Sequence, residues 1–194
     1  RIGYDYLVVA TGLQLGYDQI EGMDVKAIGQ NGLGSVYAGP EAALATWQAM
    51  DAFRAKGGQA VMTLPTGALK CAGAPLKMTF MVADRLREAG TLAQSKIDFF
   101  SGLPADTVFG VQPVNDNVLA RWKDLGIQTH YLSKLVAVDL AGRQAVFASP
   151  EGERSSVDYD FLHVATAPAH TFAETDGLGP QGQTQAVCHV EHAN

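Results

Sequence analysis

The sequence predicts an α/β chain in which a parallel sheet is covered by helices and carries an antiparallel β insertion. Three observations predict it. Short apolar runs at 59–64, 96–101 and 127–132 alternate with longer stretches of helical character, the order that builds parallel sheets through crossover helices. Two β-rich runs, 135–138 and 144–148, flank a polar turn and read as a hairpin or small meander. A turn of small residues, 65–74, joins a strand end to a helix start, the arrangement of a Rossmann-like three-layer unit.

The elements follow in order. Tyr4-Asp5-Tyr6-Leu7-Val8-Val9-Ala10-Thr11-Gly12 reads as a short strand ending in a small-residue turn. Tyr159-Asp160-Phe161-Leu162-His163-Val164-Ala165-Thr166-Ala167 repeats it nearly residue for residue. One such pair is too few for a solenoid, so each segment is expected to close a similar βαβ-type unit. Residues 14–39 are rich in Gly and read as a connecting loop able to line a site. Gly39-Pro40-Glu41 opens a helix that runs to about Lys56, where Gly57-Gly58 stops it.

Gln59–Leu64 is a buried strand, and Pro75 begins a helix that Gly90 ends. Lys96–Ser101 is the next strand, parallel to the first through a right-handed crossover. Val114 to Leu125 is a helix stopped by Gly126, and 127–132 a third strand of the same sheet. After the hairpin and the turn Glu151-Gly152-Glu153, a single strand over 157–165 closes the unit. The reading places a connecting loop and helix at 13–58 and the Rossmann-like domain at 59–165. A loose tail rich in Gly, Gln and Thr is expected at 166–194.

Composition narrows the function classes. The 194 residues suit one domain or a little more, and 47% hydrophobic with 18% charged residues is enough for a proper core. A net charge of −6 with scattered Lys and Arg offers no footprint for nucleic acid. No stretch reaches the apolar length of a membrane span. Cys71 and Cys188 are too few for a disulfide scaffold, and no CxxC or HExxH spacing supports a metal; Cys188-His189 with His192 is not read as a metal site. The abrupt start at Arg1-Ile2-Gly3-Tyr4 suggests a fragment of something larger.

The chemistry centres on Cys71. A cysteine between a strand end and a helix start, with Lys70 and Lys77 close in sequence, is expected to favour its thiolate, the nucleophilic form. Gly73 and Ala74 would let a flat group approach the sulfur closely. A buried structural cysteine is the plain alternative. The same turn in a dinucleotide-binding unit carries G-x-G-x-x-G, whereas Gly67 and Gly73 are spaced wrongly for it. No acidic residue ends the following strand in the usual way for a ribose, although Asp98 lies within it. The unit is therefore read as one without nicotinamide binding, carrying a thiol in its place.

Lys70-Cys71-Ala72-Gly73-Ala74-Pro75-x-Lys77 resembles the signature of flavin-dependent sulfide:quinone oxidoreductases, the group that includes the mitochondrial enzymes. Supporting similarity lies at Tyr4 to Gly12, at Val108-Phe109-Gly110-Val111 and at Tyr159 to Val164, in the same order throughout residues 1–165. The resemblance implies the NAD-like second domain of a two-dinucleotide flavoprotein, with residues 1–12 as the end of its FAD-binding domain. It implies electron transfer from sulfide through FAD to a membrane quinone, with Cys71 carrying sulfur as a persulfide or disulfide toward an acceptor. Ala10, Thr11 and Gly12, with Gly73, Pro75 and Lys77, are then the cofactor-binding candidates, and no NAD is expected.

The family's own FAD fingerprint, second catalytic cysteine and membrane-binding C-terminal region have no counterpart in these residues, so the role of that cysteine is not transferred to Cys188. The expectation is an inactive piece of a peripheral protein of a respiratory membrane, bacterial rather than mitochondrial, with homo-oligomerisation left open. An NADH-dependent disulfide-reductase-type flavoprotein and a non-catalytic binding module are the alternatives.

Overall fold

The computed structural model describes residues 5, 6, 8, 14–66, 69 and 71–169. In chain order the elements are β1 (Gln14–Leu15), β2 (Leu33–Gly34), α1 (Pro40–Lys56), β3 (Gln59–Leu64), α2 (Gly73–Ala89) and β4 (Lys96–Ser101). They continue with α3 (Gln112–Asp124), β5 (Gln128–His130), β6 (Lys134–Asp139), β7 (Gln144–Ala148), β8 (Arg154–Asp158), β9 (Phe161–His163) and β10 (Pro168–Ala169). Single 3₁₀ turns occupy Tyr17–Gln19, Val25–Ala27 and Leu92–Gln94.

Three layers result. The central sheet is parallel, in the order β2-β9-β3-β4-β5, and a separate antiparallel sheet runs β6-β7-β8. Alternation along the central strands sends side chains both ways. Ala60, Met62, Leu64, Ile97, Phe99 and Phe161 pack with residues of the three helices, where Trp122 lies 4.5 Å from Phe99 between ring centres. Val61, Phe100, Leu162 and Val164 pack instead with the antiparallel sheet, and Phe100 stacks on Phe147 at 3.8 Å. Strands buried on both faces explain why the sequence shows near-continuous apolar runs there.

Several expectations need correcting. The strand expected over 157–165 is two strands in two different sheets, β8 and β9. The chain crosses between them at Tyr159 and Asp160. Tyr159 is buried and its amide donates to the Arg143 carbonyl, while the Asp160 carboxylate accepts the Gln59 amide at 2.8 Å. Asp160 thus holds the start of β3 twice, since its own amide donates to the Gln59 carbonyl at 2.8 Å. The crossing is close: a Cβ on Gly32 (φ +77°) would fall 2.0 Å from the Asp160 carbonyl oxygen.

The 14–39 loop supplies an edge strand, because Leu33 and Gly34 pair with Leu162 and His163. The sheet therefore has five strands where three runs and a closing strand are legible. Residues 166–169 open no loose tail: Thr166 is buried and donates to the Gly16 carbonyl, and β10 pairs antiparallel with β1. α2 begins at Gly73, two residues before the expected Pro75, and α3 at Gln112, two before Val114. The third expected strand, 127–132, is confined to Gln128–His130. Among the described residues no helix is long and apolar enough to cross a membrane.

Candidate active site at the carboxyl end of the parallel sheet

Chain order runs outward from β3 to β4 and β5, and the chain then returns to place β9 on the other side of β3. The carboxyl ends of β3 and β9 therefore flank the point where the strand order reverses, which is where open α/β sheets bind ligands. Thr63 ties these ends together: its hydroxyl donates to the His163 carbonyl at 3.0 Å and accepts from the Ala165 amide at 2.9 Å. Ser35, fully buried after β2, donates to the Val164 carbonyl at 2.7 Å. Its amide donates to the Thr46 hydroxyl of α1, and its hydroxyl lies 2.6 Å from the Tyr17 phenol. A narrow cleft between Thr63–Pro65 and Ala165–Ala167 opens above this network.

Cys71 stands on the turn between β3 and α2 and is exposed. It is not a sealed core cysteine. Its carbonyl oxygen accepts two hydrogen bonds, one from the Ala74 amide at 3.1 Å and one from the Tyr37 hydroxyl at 2.9 Å. The N-cap of α2 is Ala72, and among the described residues no side chain caps the first-turn amides. That leaves the positive end of the helix dipole beside the cysteine. Burial first, and the adjacent Cys71 second, push the Tyr37 phenol well above its ordinary range, so it remains a donor.

The other site candidates separate. Gly73 and Lys77 line a groove between α2 and α3, together with Phe80, Phe109, Val114 and Arg121. Among the described residues nothing lies within 4 Å of where a Cβ on Gly73 would stand, which leaves room there for a flat group. Lys77 is exposed one turn into α2, whereas Pro75 is buried and its carbonyl accepts the Thr79 hydroxyl at 2.8 Å. Pro75 shapes the first turn; a ligand would meet Gly73 and Lys77 before it. Ala10, Thr11 and Gly12, like Lys70 and Cys188, lie outside the described residues.

Sequence reading missed Tyr37, Ser35 and Thr63. Tyr37 lay in a Gly-rich stretch read only as a loop able to line a site. Its one signal was a large aromatic among small residues, Gly32 to Gly39.

A five-stranded parallel sheet with helices on one face and a three-stranded antiparallel sheet on the other is a fold shared with solved FAD- and NAD-type flavoproteins. The structure of sulfide:quinone oxidoreductase from Aquifex aeolicus shares the fold with a TM-score of 0.68 at 20% identity, over 86% of this chain and 37% of that one. NDH2 from Plasmodium falciparum, solved in complex with NADH, shares it at 0.58 and 15%, over 88% and 36%. No family model matches the chain.

Within that class of folds, the chain is similar in sequence to mitochondrial sulfide:quinone oxidoreductases. It is 32% identical over 84% of its length to the mitochondrial sulfide:quinone oxidoreductase of Dictyostelium discoideum, covering 35% of that protein. The mouse mitochondrial protein of the same name is also 32% identical, over 84% of this chain and 36% of its own length. The fission yeast one is 30% identical over 96% of this chain and 41% of its own length. The chain thus spans 35–41% of the curated relatives it matches.

Proposed function

We propose that this chain is the Cys71-bearing segment of an FAD-dependent oxidoreductase that oxidises sulfide and passes the electrons to a membrane quinone. The observation that carries the reading is an exposed cysteine at the uncapped start of α2, beside the point where the strand order reverses. The relatives' names supply the substrate and the acceptor of the electrons. In this reading Cys71, as thiolate, attacks the sulfane sulfur of a persulfide or polysulfide, forming an S–S bond to it while the remainder of the donor leaves as a thiolate with the electron pair. Gly73 leaves room beside the sulfur. Sulfur held on Cys71 as a persulfide is then passed to a sulfur acceptor.

FAD fits what the described residues offer, an open approach over Gly73 and Ala74 with Lys77 one turn further along. When bound it supplies a two-electron oxidation next to the sulfur. Ala10, Thr11 and Gly12 are the further residues assigned to hold it. Nicotinamide has no part in the reading, since Gly67 and Gly73 do not make a pyrophosphate fingerprint. The complete enzyme would sit peripherally on a respiratory membrane. The 194-residue chain alone should retain little flavin and turn over nothing.

Exposing the chain to polysulfide and mass-mapping its cysteine peptides tests the assignment. Addition of one sulfur atom at Cys71, removable by a reducing thiol, is the expected result. A Cys71 peptide that stays unmodified while a small-molecule thiol reacts would contradict it.

A further inference from the structure

We propose that the face of α2 lining the α2–α3 groove is an interface between two copies of this chain, packed antiparallel across a twofold axis at Phe80 and Met81. The groove has a volume of about 800 Å³. Lys77, Phe80, Met81 and Asp84 all line it, and their i, i+3, i+4, i+7 spacing puts them on one side of the helix. The pattern is its own complement. Two apolar residues stand at the centre, with a cation three residues before them and an anion three residues after.

A twofold contact repeats every pair, so an antiparallel α2 brings each Lys77 level with the Asp84 of the other copy. The incoming helix enters the groove between α2 and α3 as a ridge enters a groove. Among the described residues Lys77 makes no ion pair, and Asp84 pairs with Arg87 of its own helix, both well exposed. Arg121 and Asp124 of α3 border the groove and balance each other in charge. The charged pairs therefore set the register, while Phe80 and Met81 supply the apolar contact. Val114, 44% exposed on α3, continues that apolar surface. Two helices about 25 Å long and about 10 Å apart offer roughly 500 Å² per copy, the size of a weak and reversible interface. The inference does not rest on the reading of Cys71.

The experiment is sedimentation velocity on the full 194-residue chain through the micromolar range, under reducing conditions. The wild-type chain should pass reversibly from monomer to dimer as concentration rises. Met81→Glu buries a carboxylate against its own copy at the axis and should abolish the dimer. Lys77→Asp sets carboxylates face to face, and Asp84→Lys sets ammonium groups face to face, so each should weaken association several-fold. The double exchange restores opposite signs and should recover it. Asp84→Lys is the sharpest of these, because it moves the net charge of −6 toward zero, which by itself would favour association.

A chain that stays monomeric throughout the micromolar range overturns the inference. A dimer that survives Met81→Glu and ignores the charge changes is held elsewhere, which overturns it as well. So does a double exchange no stronger than either single one, since the antiparallel register demands recovery. Should Met81→Glu fail to fold, the exposed charge positions decide alone: recovery in the double variant supports the interface and its absence removes it.

Discussion

Two polar regions of this sheet are built on opposite principles. Beyond the carboxyl end of β3, Cys71 is exposed, and among the described residues α2 has no side-chain cap and nothing crowds Gly73. At Asp98, midway along β4, a carboxylate only 2% exposed is saturated. Gln59 donates to it at 2.8 Å, Lys96 lies at 2.8 Å and His130 at 3.1 Å. Burial pushes the Asp98 carboxyl up, but the bonds from Lys96, His130 and Gln59 together outweigh it and hold it below the usual carboxylate range. Committed groups stabilise, whereas uncommitted ones are free for chemistry. The contrast explains why the acidic residue nearest to a ribose-binding position in sequence serves the sheet instead.

The comparison can be broken at four points, from the largest effect to the smallest. Cys71→Ser should abolish sulfur uptake at the turn while changing urea-unfolding stability by less than about 0.5 kcal/mol, because the side chain is exposed. A large loss of stability would show that the turn is structural after all. Trp122→Ala should cost about 3–5 kcal/mol in urea titration, since the ring is buried against Phe99 and Phe80. If that chain keeps its folded-state Cys71 reactivity, the turn is insulated from the α3 side of the core.

His163 marks the seam between the two regimes, since it is fully buried on β9 and neither ring nitrogen has a hydrogen-bond partner among the described residues. Burial pushes its imidazole down to about 4 from 6.5. The folded state therefore prefers the neutral ring. That stability is fully present above 6.5 and is lost as pH falls toward 4, by about 3 kcal/mol across the window. His163→Leu should flatten this part of the stability–pH curve, as chemical denaturation at several pH values would show.

The smallest effect belongs to Asp98. Its folded carboxyl is lowered, so its contribution is complete above the ordinary carboxylate range and disappears as pH falls through the folded value. Asp98→Asn should cost about 1–2 kcal/mol at neutral pH and remove that acid limb. An Asp98→Asn chain as acid-sensitive as wild type below the carboxylate range would mean that other groups dominate there.

Much of the frame was legible because its signals are local. Gly57-Gly58, Gly90 and Gly126 stop helices, and the apolar runs of β3 and β4 carry their bounds in the sequence. What stayed hidden depends on tertiary pairing. A two-residue edge strand such as Leu33–Gly34 has no periodicity to read, and it exists only because β9 lies beside it. The break at Tyr159-Asp160 was masked by an apolar run that continues on its far side. Its local clue was an aspartate, a residue that strands disfavour. At the site, Cys71 and its small-residue turn could be picked out from residue types alone. The Tyr37 bond spans 34 residues and is set by tertiary packing.

The account turns on whether folding activates the sulfur at position 71. The direct measurement compares the alkylation rate of the Cys71 peptide at neutral pH in the native chain with the rate in the same chain unfolded in urea. A native rate several-fold above the unfolded one is what the exposed position at the helix start predicts. A native rate at or below the unfolded one would contradict it.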